Sequence, residues 1–166
     1  MDLVYRIASR ILVLHDGTII ADGTSDDIQT DERVQNAYLG GERSIDRSTT
    51  RFQRNGEGSP YLRVDGLETF YDETQALFDI SFNVMEGEVV ALLGRNGAGK
   101  TTTLRSITGI TPPVSGSITV NNEEIHAKRP FEIARNGVGY VPENKGLFSS
   151  LTVEENLDMT LSDDST

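Results

Sequence analysis

One octet, Gly94-Arg95-Asn96-Gly97-Ala98-Gly99-Lys100-Thr101, constrains this chain more than any other stretch. Its spacing is G-x-x-x-x-G-K-T. The apolar run Val89-Val90-Ala91-Leu92-Leu93 precedes it, and a segment that suits a helix follows through about Thr108. The run has the continuous apolar character of a strand buried on both faces. Glycines let the backbone curl so that several amide N–H groups point inward at phosphate oxygens. The N-terminus of the following helix adds partial positive charge at the same point. Lys100 offers an ammonium to the β- and γ-phosphates, Thr101 a hydroxyl to Mg²⁺, and Thr102 a bond to a neighbouring phosphate oxygen. The octet therefore predicts a phosphate-binding loop for ATP or a close relative. A chance glycine-rich turn has no reason to sit between strand and helix in that order.

Composition narrows the surroundings of that loop. The 166 residues suit one ordinary domain and are short for two. The formal net charge is −11: residues 1–60 carry 7 basic and 10 acidic side chains, and residues 61–166 carry 8 and 16. Neither half offers the clustered Lys and Arg that duplex DNA or anionic lipid requires, so nucleic acid is not an expected partner. No apolar run approaches the ~20 residues that span a bilayer, so direct membrane insertion is not expected either. The first residues lack a signal-peptide pattern. With no cysteine, disulfides, thiol nucleophiles and Cys-ligated zinc are excluded.

Along the chain, residues 1–41 read as the end of a domain. Ile11–Leu14 and Thr18–Ala21 are short apolar strands around His15-Asp16-Gly17, and Asp-Gly is a strong hairpin signal. Ser25 and Asp31 are candidate caps for two short helices, the second stopping at Gly40-Gly41. Residues 42–60 are polar and without periodicity, and read as a flexible linker. From Tyr61 a second domain opens. Strands are predicted over 62–67, 77–84, 117–120 and 137–141, a short helix over 130–135, and a last helix opened by the capping-box spacing Thr152-Val153-Glu154-Glu155. The fold class read from this is α/β: an incomplete P-loop NTPase, preceded by a small tail of hairpin and helices.

Two longer stretches resemble a known family. LLGRNGAGKTTTLRSITGITPPVSGSITVNNEEI and GVGYVPENKGLFSSLTVEENL are similar to the ATPases of ABC transporters, specifically of branched-chain amino-acid importers. The resemblance implies an adenine-stacking role for Tyr71, where a flat π surface suits a purine. The family usually follows that aromatic with Gly, and here Asp72 stands there. The resemblance also puts Glu143, in Val141-Pro142-Glu143, at the Q-loop position, as a candidate oxygen ligand for Mg²⁺ and contact to the attacking water. Asn144–Phe148 would then face a transmembrane permease subunit. ATP and Mg²⁺ are the implied cofactors. A second ATPase domain and permease subunits are the implied partners, and the implied location is the cytoplasmic face of the cell membrane.

Residues 1–41 resemble the C-terminal tail of the same kind of ATPase, just after its switch His. His15 falls too late to be that residue. Leu39-Gly40-Gly41-Glu42 lacks the Ser of the family signature, and His126 has no partner cluster. No Leu-Ser-Gly-Gly signature, Walker B Asp-Glu or switch His appears between Thr152 and Thr166. The catalytic set is thus incomplete, with no obvious general base. The expected organisation is the tail of one ATPase (1–41), a linker (42–60) and the front of a second (61–166); a circularly permuted single domain is the alternative. An importer ATPase fragment and a non-hydrolysing nucleotide-binding module both follow from these features. A P-loop kinase is disfavoured, because no acceptor or lid motif is visible.

Overall fold

A computed structural model describes residues 2–39, 59–143, 146 and 148–158. The chain opens with α1 (Asp2–Ile7), β1 (Arg10–His15), β2 (Thr18–Gly23), α2 (Ser25–Thr30) and α3 (Glu32–Leu39). Then come β3 (Leu62–Tyr71), β4 (Thr74–Val84), β5 (Val90–Leu93), α4 (Lys100–Ile107), β6 (Ser115–Val120), β7 (Glu123–Glu124), α5 (Pro130–Arg135) and α6 (Val153–Asp158).

These strands form two sheets, ordered β2-β1-β5 and β4-β3-β6-β7. The first sheet joins the two sequence segments. β1 pairs antiparallel with β2 across the Asp16-Gly17 turn, where both residues have positive φ (45° and 76°), as a type I′ hairpin demands. On its other side β1 pairs in parallel with β5, from Arg10 opposite Val90 to Val13 opposite Leu93. The hairpin read from residues 11–21 is thus present, and it is built into the sheet that leads to the phosphate-binding octet.

Strand alternation divides the core. Leu12 and Leu14 of β1 point to one side, where they join Val64, Leu77, Ile80 and Ile118 between the sheets. Ile11 and Val13 point to the other, against Ile28 of α2 and Val34 and Ala37 of α3. A fully buried Leu or Ile side chain contributes about 1.5–3 kcal/mol, so β1, apolar on both faces, anchors both layers. β5 follows the same alternation, with Val90 and Leu92 on the first side and Ala91 and Leu93 on the second.

Polar contacts reinforce the junction. Arg10, 2% exposed, donates from Nε and Nη2 to the two carboxylate oxygens of Asp22 (2.5 Å each) and from Nη1 to the Asn83 carbonyl (2.8 Å). Glu88 Oε1 lies 3.8 Å from the same guanidinium. The bonds with Asp22 raise the pKa of Arg10 above its ordinary value, against the opposing effect of burial. Ser9 N donates to the Val89 carbonyl (2.9 Å).

Several sequence expectations need correction. Thr24, not Ser25, caps α2: its hydroxyl accepts from Asp27 N, and Asp27 Oδ2 accepts from Thr24 N (2.9 Å). Asp31 does act as a cap, accepting from Arg33 N (2.8 Å). Residues 137–141 form no strand, and Val141 is 86% exposed, because no described strand lies beside them to accept their hydrogen bonds. β5 packs on a core at each face but is fully buried at neither. Its four residues are all half-buried, since among the described residues it has a strand partner on one side only. Most of the expected linker, Gly40–Gly41, Asn144, Lys145, Leu147 and the last eight residues lie outside the described residues.

Candidate functional site

Residues 94–99 connect β5 to α4, as the octet requires. Gly94 adopts φ 153°, and a Cβ there would sit 2.4 Å from the Leu14 carbonyl oxygen, so β1 presses directly on the start of the loop. Gly99 caps α4 with no side-chain hydrogen bond. Thr103 N returns to the Gly99 carbonyl (2.8 Å). The first-turn amides above it are the orphan donors that bind anions at helix N-termini. Lys100 Nζ donates to the carbonyls of Gly94 (2.7 Å) and Arg95 (2.9 Å). The ammonium therefore braces the loop from within and lies against the space that the loop encircles. Arg95, Asn96, Gly97 and Thr101 are exposed, Gly99, Lys100 and Thr102 half-buried, and Ala98 buried.

The hairpin turn of the first segment completes the wall of this loop. Gly17 N donates to the Ala98 carbonyl (3.0 Å), and Phe78 N donates to the Gly17 carbonyl (2.8 Å). Sequence reading missed this contact. An Asp-Gly turn signals a hairpin but not what the hairpin will touch.

Tyr71 ends β3 and is 42% exposed. The turn after it contains Asp72 at φ 52°. Glycine reaches that conformation freely and Asp tolerates it better than most residues, which accounts for an Asp where the resembling family has Gly. Side-chain hydrogen bonding with Thr102 lowers the Tyr71 phenol below its ordinary pKa against the opposing effect of burial, with lesser help from Thr111 and Arg105. Arg105 in turn bonds both Tyr71 and Tyr140, which raises its own pKa. The aromatic platform is thereby tied to α4. Arg105 and Tyr140 carried no motif, and no local signal would have found them.

Glu143 is exposed and lines a cavity of about 550 Å³ together with Thr101, Arg105 and Tyr140. The two oxygen ligands expected for Mg²⁺ thus border one space. Their chemistry fits: Mg²⁺ takes one or two protein oxygens and completes its shell with phosphate and water. Among the described residues no group of three or more His, Asp or Glu could hold a metal ion by itself. No described helix is long and apolar enough to cross a membrane. His15 ends β1, with Nε2 3.6 Å from Asp16 Oδ2, and His126 has a buried Nδ1 without a partner.

The arrangement of strand, phosphate loop, helix and outlying aromatic defines a P-loop nucleotide-binding unit of the ABC ATPase type. The family model for ABC transporters matches residues 77–166, over half of the chain, and the chain belongs to that family. A second model, described as branched-chain amino acid ATP-binding cassette transporter, matches residues 18–44. Among curated relatives, the high-affinity branched-chain amino acid transport ATP-binding protein BraG of Pseudomonas aeruginosa is 45% identical over 98 residues, which are 59% of this chain and 42% of BraG. The probable branched-chain amino acid transport ATP-binding protein LivF of Archaeoglobus fulgidus is 38% identical over 58% of this chain and 41% of its own length. The chain thus spans about two-fifths of these relatives. A ribose import ATP-binding protein of Rhizobium meliloti is 31% identical over 148 residues, 87% of this chain and 27% of the relative. A match that long includes residues on both sides of 42–60. A dimeric ATP-binding cassette solved with ADP and Pi shares the fold, at a TM-score of 0.55 and 24% identity, over 60% of this chain and 46% of that one.

Proposed function

We propose that this chain is a nucleotide-binding part of an ABC importer for branched-chain amino acids. The observation that carries this reading is the braced phosphate loop. Lys100 is held at its centre, the first turn of α4 is uncapped by any side chain, and residues 18–44 match the branched-chain family model. In this reading the amides of 97–101, Lys100 and Thr102 hold the phosphates of ATP, and Tyr71 stacks on adenine. Thr101 and Glu143 hold Mg²⁺, which supplies charge neutralisation on the phosphates. Branched-chain amino acids as cargo follow the transport role for which BraG and LivF are named; the importer direction, a second ATPase domain, permease subunits and a place at the cytoplasmic face of the membrane are part of the same proposal.

The two segments fit the tail of one ATPase (1–41) run through a linker (42–60) into the front of a second (61–166). The long match to the ribose import protein supports that order within a single polypeptide. The parallel pairing of β1 with β5 speaks for the permuted alternative, in which both pieces serve one domain.

A second reading for these 166 residues is a module that binds ATP without hydrolysing it, since no Walker B Asp-Glu lies within them. ATP binding and turnover by the full chain, compared with Lys100→Ala, separate the two. Loss of the ammonium is expected to weaken ATP binding at least tenfold, since hydrogen bonds to charged groups contribute about 1.5–3 kcal/mol. Lys100-dependent turnover would defeat the binding-only reading. Equal ATP affinity in both proteins would defeat the P-loop assignment.

A further inference from the structure

We infer that Asp16, from the hairpin turn of the first segment, hydrogen-bonds the ribose hydroxyls of the bound nucleotide and makes this site selective for ribonucleotides. The inference rests on the nucleotide-binding reading above. It starts from a second cavity, about 370 Å³, bordered by Asp16, Gly17, Thr74, Gly97, Gly99 and Thr102. One side of this space is the phosphate loop. The other is the start of β4, where Thr74 pairs with Tyr71 across the β3–β4 turn. A nucleotide runs in the order phosphate, sugar, base. With phosphates on 97–102 and the base on Tyr71, the sugar falls in the stretch between, which this cavity occupies.

Asp16 is the only charged residue on the cavity wall among the described residues, and its side chain is 71% exposed, so a ligand can reach it. A carboxylate is an acceptor only. Toward phosphate it would be repelled, and toward an aromatic face it gains nothing. A vicinal diol offers it two O–H donors, the pairing by which acidic side chains recognise ribose in other nucleotide-binding folds. The position of Asp16 is also fixed. Gly17 N bonds Ala98 O and Gly17 O accepts from Phe78 N, so the turn is tied at once to the phosphate loop and to β4. A Cβ on Gly17 would lie 2.4 Å from the Ala76 carbonyl oxygen, at φ 76°. No larger residue admits this close approach, and the turn backbone that carries Asp16 is held against Ala98.

The test is competition of ATP, 2′-deoxy-ATP and 3′-deoxy-ATP against a fluorescent ATP analogue on the full chain and on two variants. Asp16→Asn and Asp16→Gly both tolerate the φ of 45° at this position, so neither strains the turn. The native chain is expected to bind ATP about tenfold more tightly than at least one deoxy analogue, the size of one charge-assisted bond. Asp16→Gly is expected to bind all three alike, and Asp16→Asn to fall between. Equal binding of all three by the native chain, or undiminished discrimination in Asp16→Gly, overturns the assignment of Asp16 and leaves the nucleotide reading standing. Absence of any Lys100-dependent ATP binding overturns both.

Discussion

β1 and β5 lie side by side, run in the same direction and have similar apolar sequences, yet they live in different environments. Ile11, Leu12, Val13 and Leu14 are each no more than 1% exposed, while every residue of β5 is half-buried. The difference is one of neighbours. β1 has β2 on one side, β5 on the other, and a core on each face; among the described residues β5 has β1 alone. The strand that carries the phosphate loop is therefore supported chiefly by the segment that sequence assigns to a separate tail. Hydrophobicity sets what a strand can bury, and position in the sheet sets what it does bury.

Four substitutions test this contrast. Arg10→Met keeps the bulk of the side chain but leaves Asp22 and Glu88 facing no cation. Removing one partner of a buried ion pair costs about 3–5 kcal/mol, which a shift in urea midpoint would register. A loss under ~1 kcal/mol would mean that β1 docks on apolar contacts alone. Next in size, Leu12→Ala is expected to cost about 3 kcal/mol and Leu92→Ala about 1, because the second site is already partly solvated. Equal losses would erase the distinction between inner and edge strand. The smallest effect lies at Asp31, whose pairing with Arg33, chiefly a side-chain hydrogen bond, lowers its pKa below the ordinary 3.8. A group depressed in the folded state contributes stability that is complete above the ordinary value and lost as pH falls through the folded one. Asp31→Asn should therefore destabilise by a few tenths of a kcal/mol at neutral pH, since the Arg33 end of the pair is exposed and screened by water. The gap from the native protein should narrow below about pH 4. A gap unchanged down to acid pH would remove the carboxylate from the account.

Much of the phosphate loop was legible, because its chemistry is local: glycine spacing, Lys100 and a helix start occupy one short stretch. The capping box at Thr152 was legible for the same reason, and the structure shows Thr152 N donating to Glu155 Oε2 (2.8 Å). What escaped reading is non-local. Period-two alternation marks residues 11–14 as a strand but cannot name Val90–Leu93 as its partner. A lone Arg10 before an apolar run gives no hint of Asp22, Asn83 and Glu88 gathered around it. The strand read at 137–141 failed on the same ground, since an apolar Gly-Val-Gly-Tyr-Val segment becomes a strand only where another strand pairs with it. Tyr71 was placed by resemblance, but its ties to Thr102 and Arg105 depend on β3 and α4 meeting in space.

The parallel β1–β5 contact also sets a timetable for synthesis. Its partners are separated by 80 residues. A hairpin forms in about 1–10 μs, whereas translation at about 5–20 residues per second needs roughly 4–16 s to deliver β5. For that interval the β1–β2 hairpin leaves the ribosome with one strand edge bare and one apolar face without its final cover. Molecular chaperones that bind extended apolar segments would meet it then, before the phosphate loop exists.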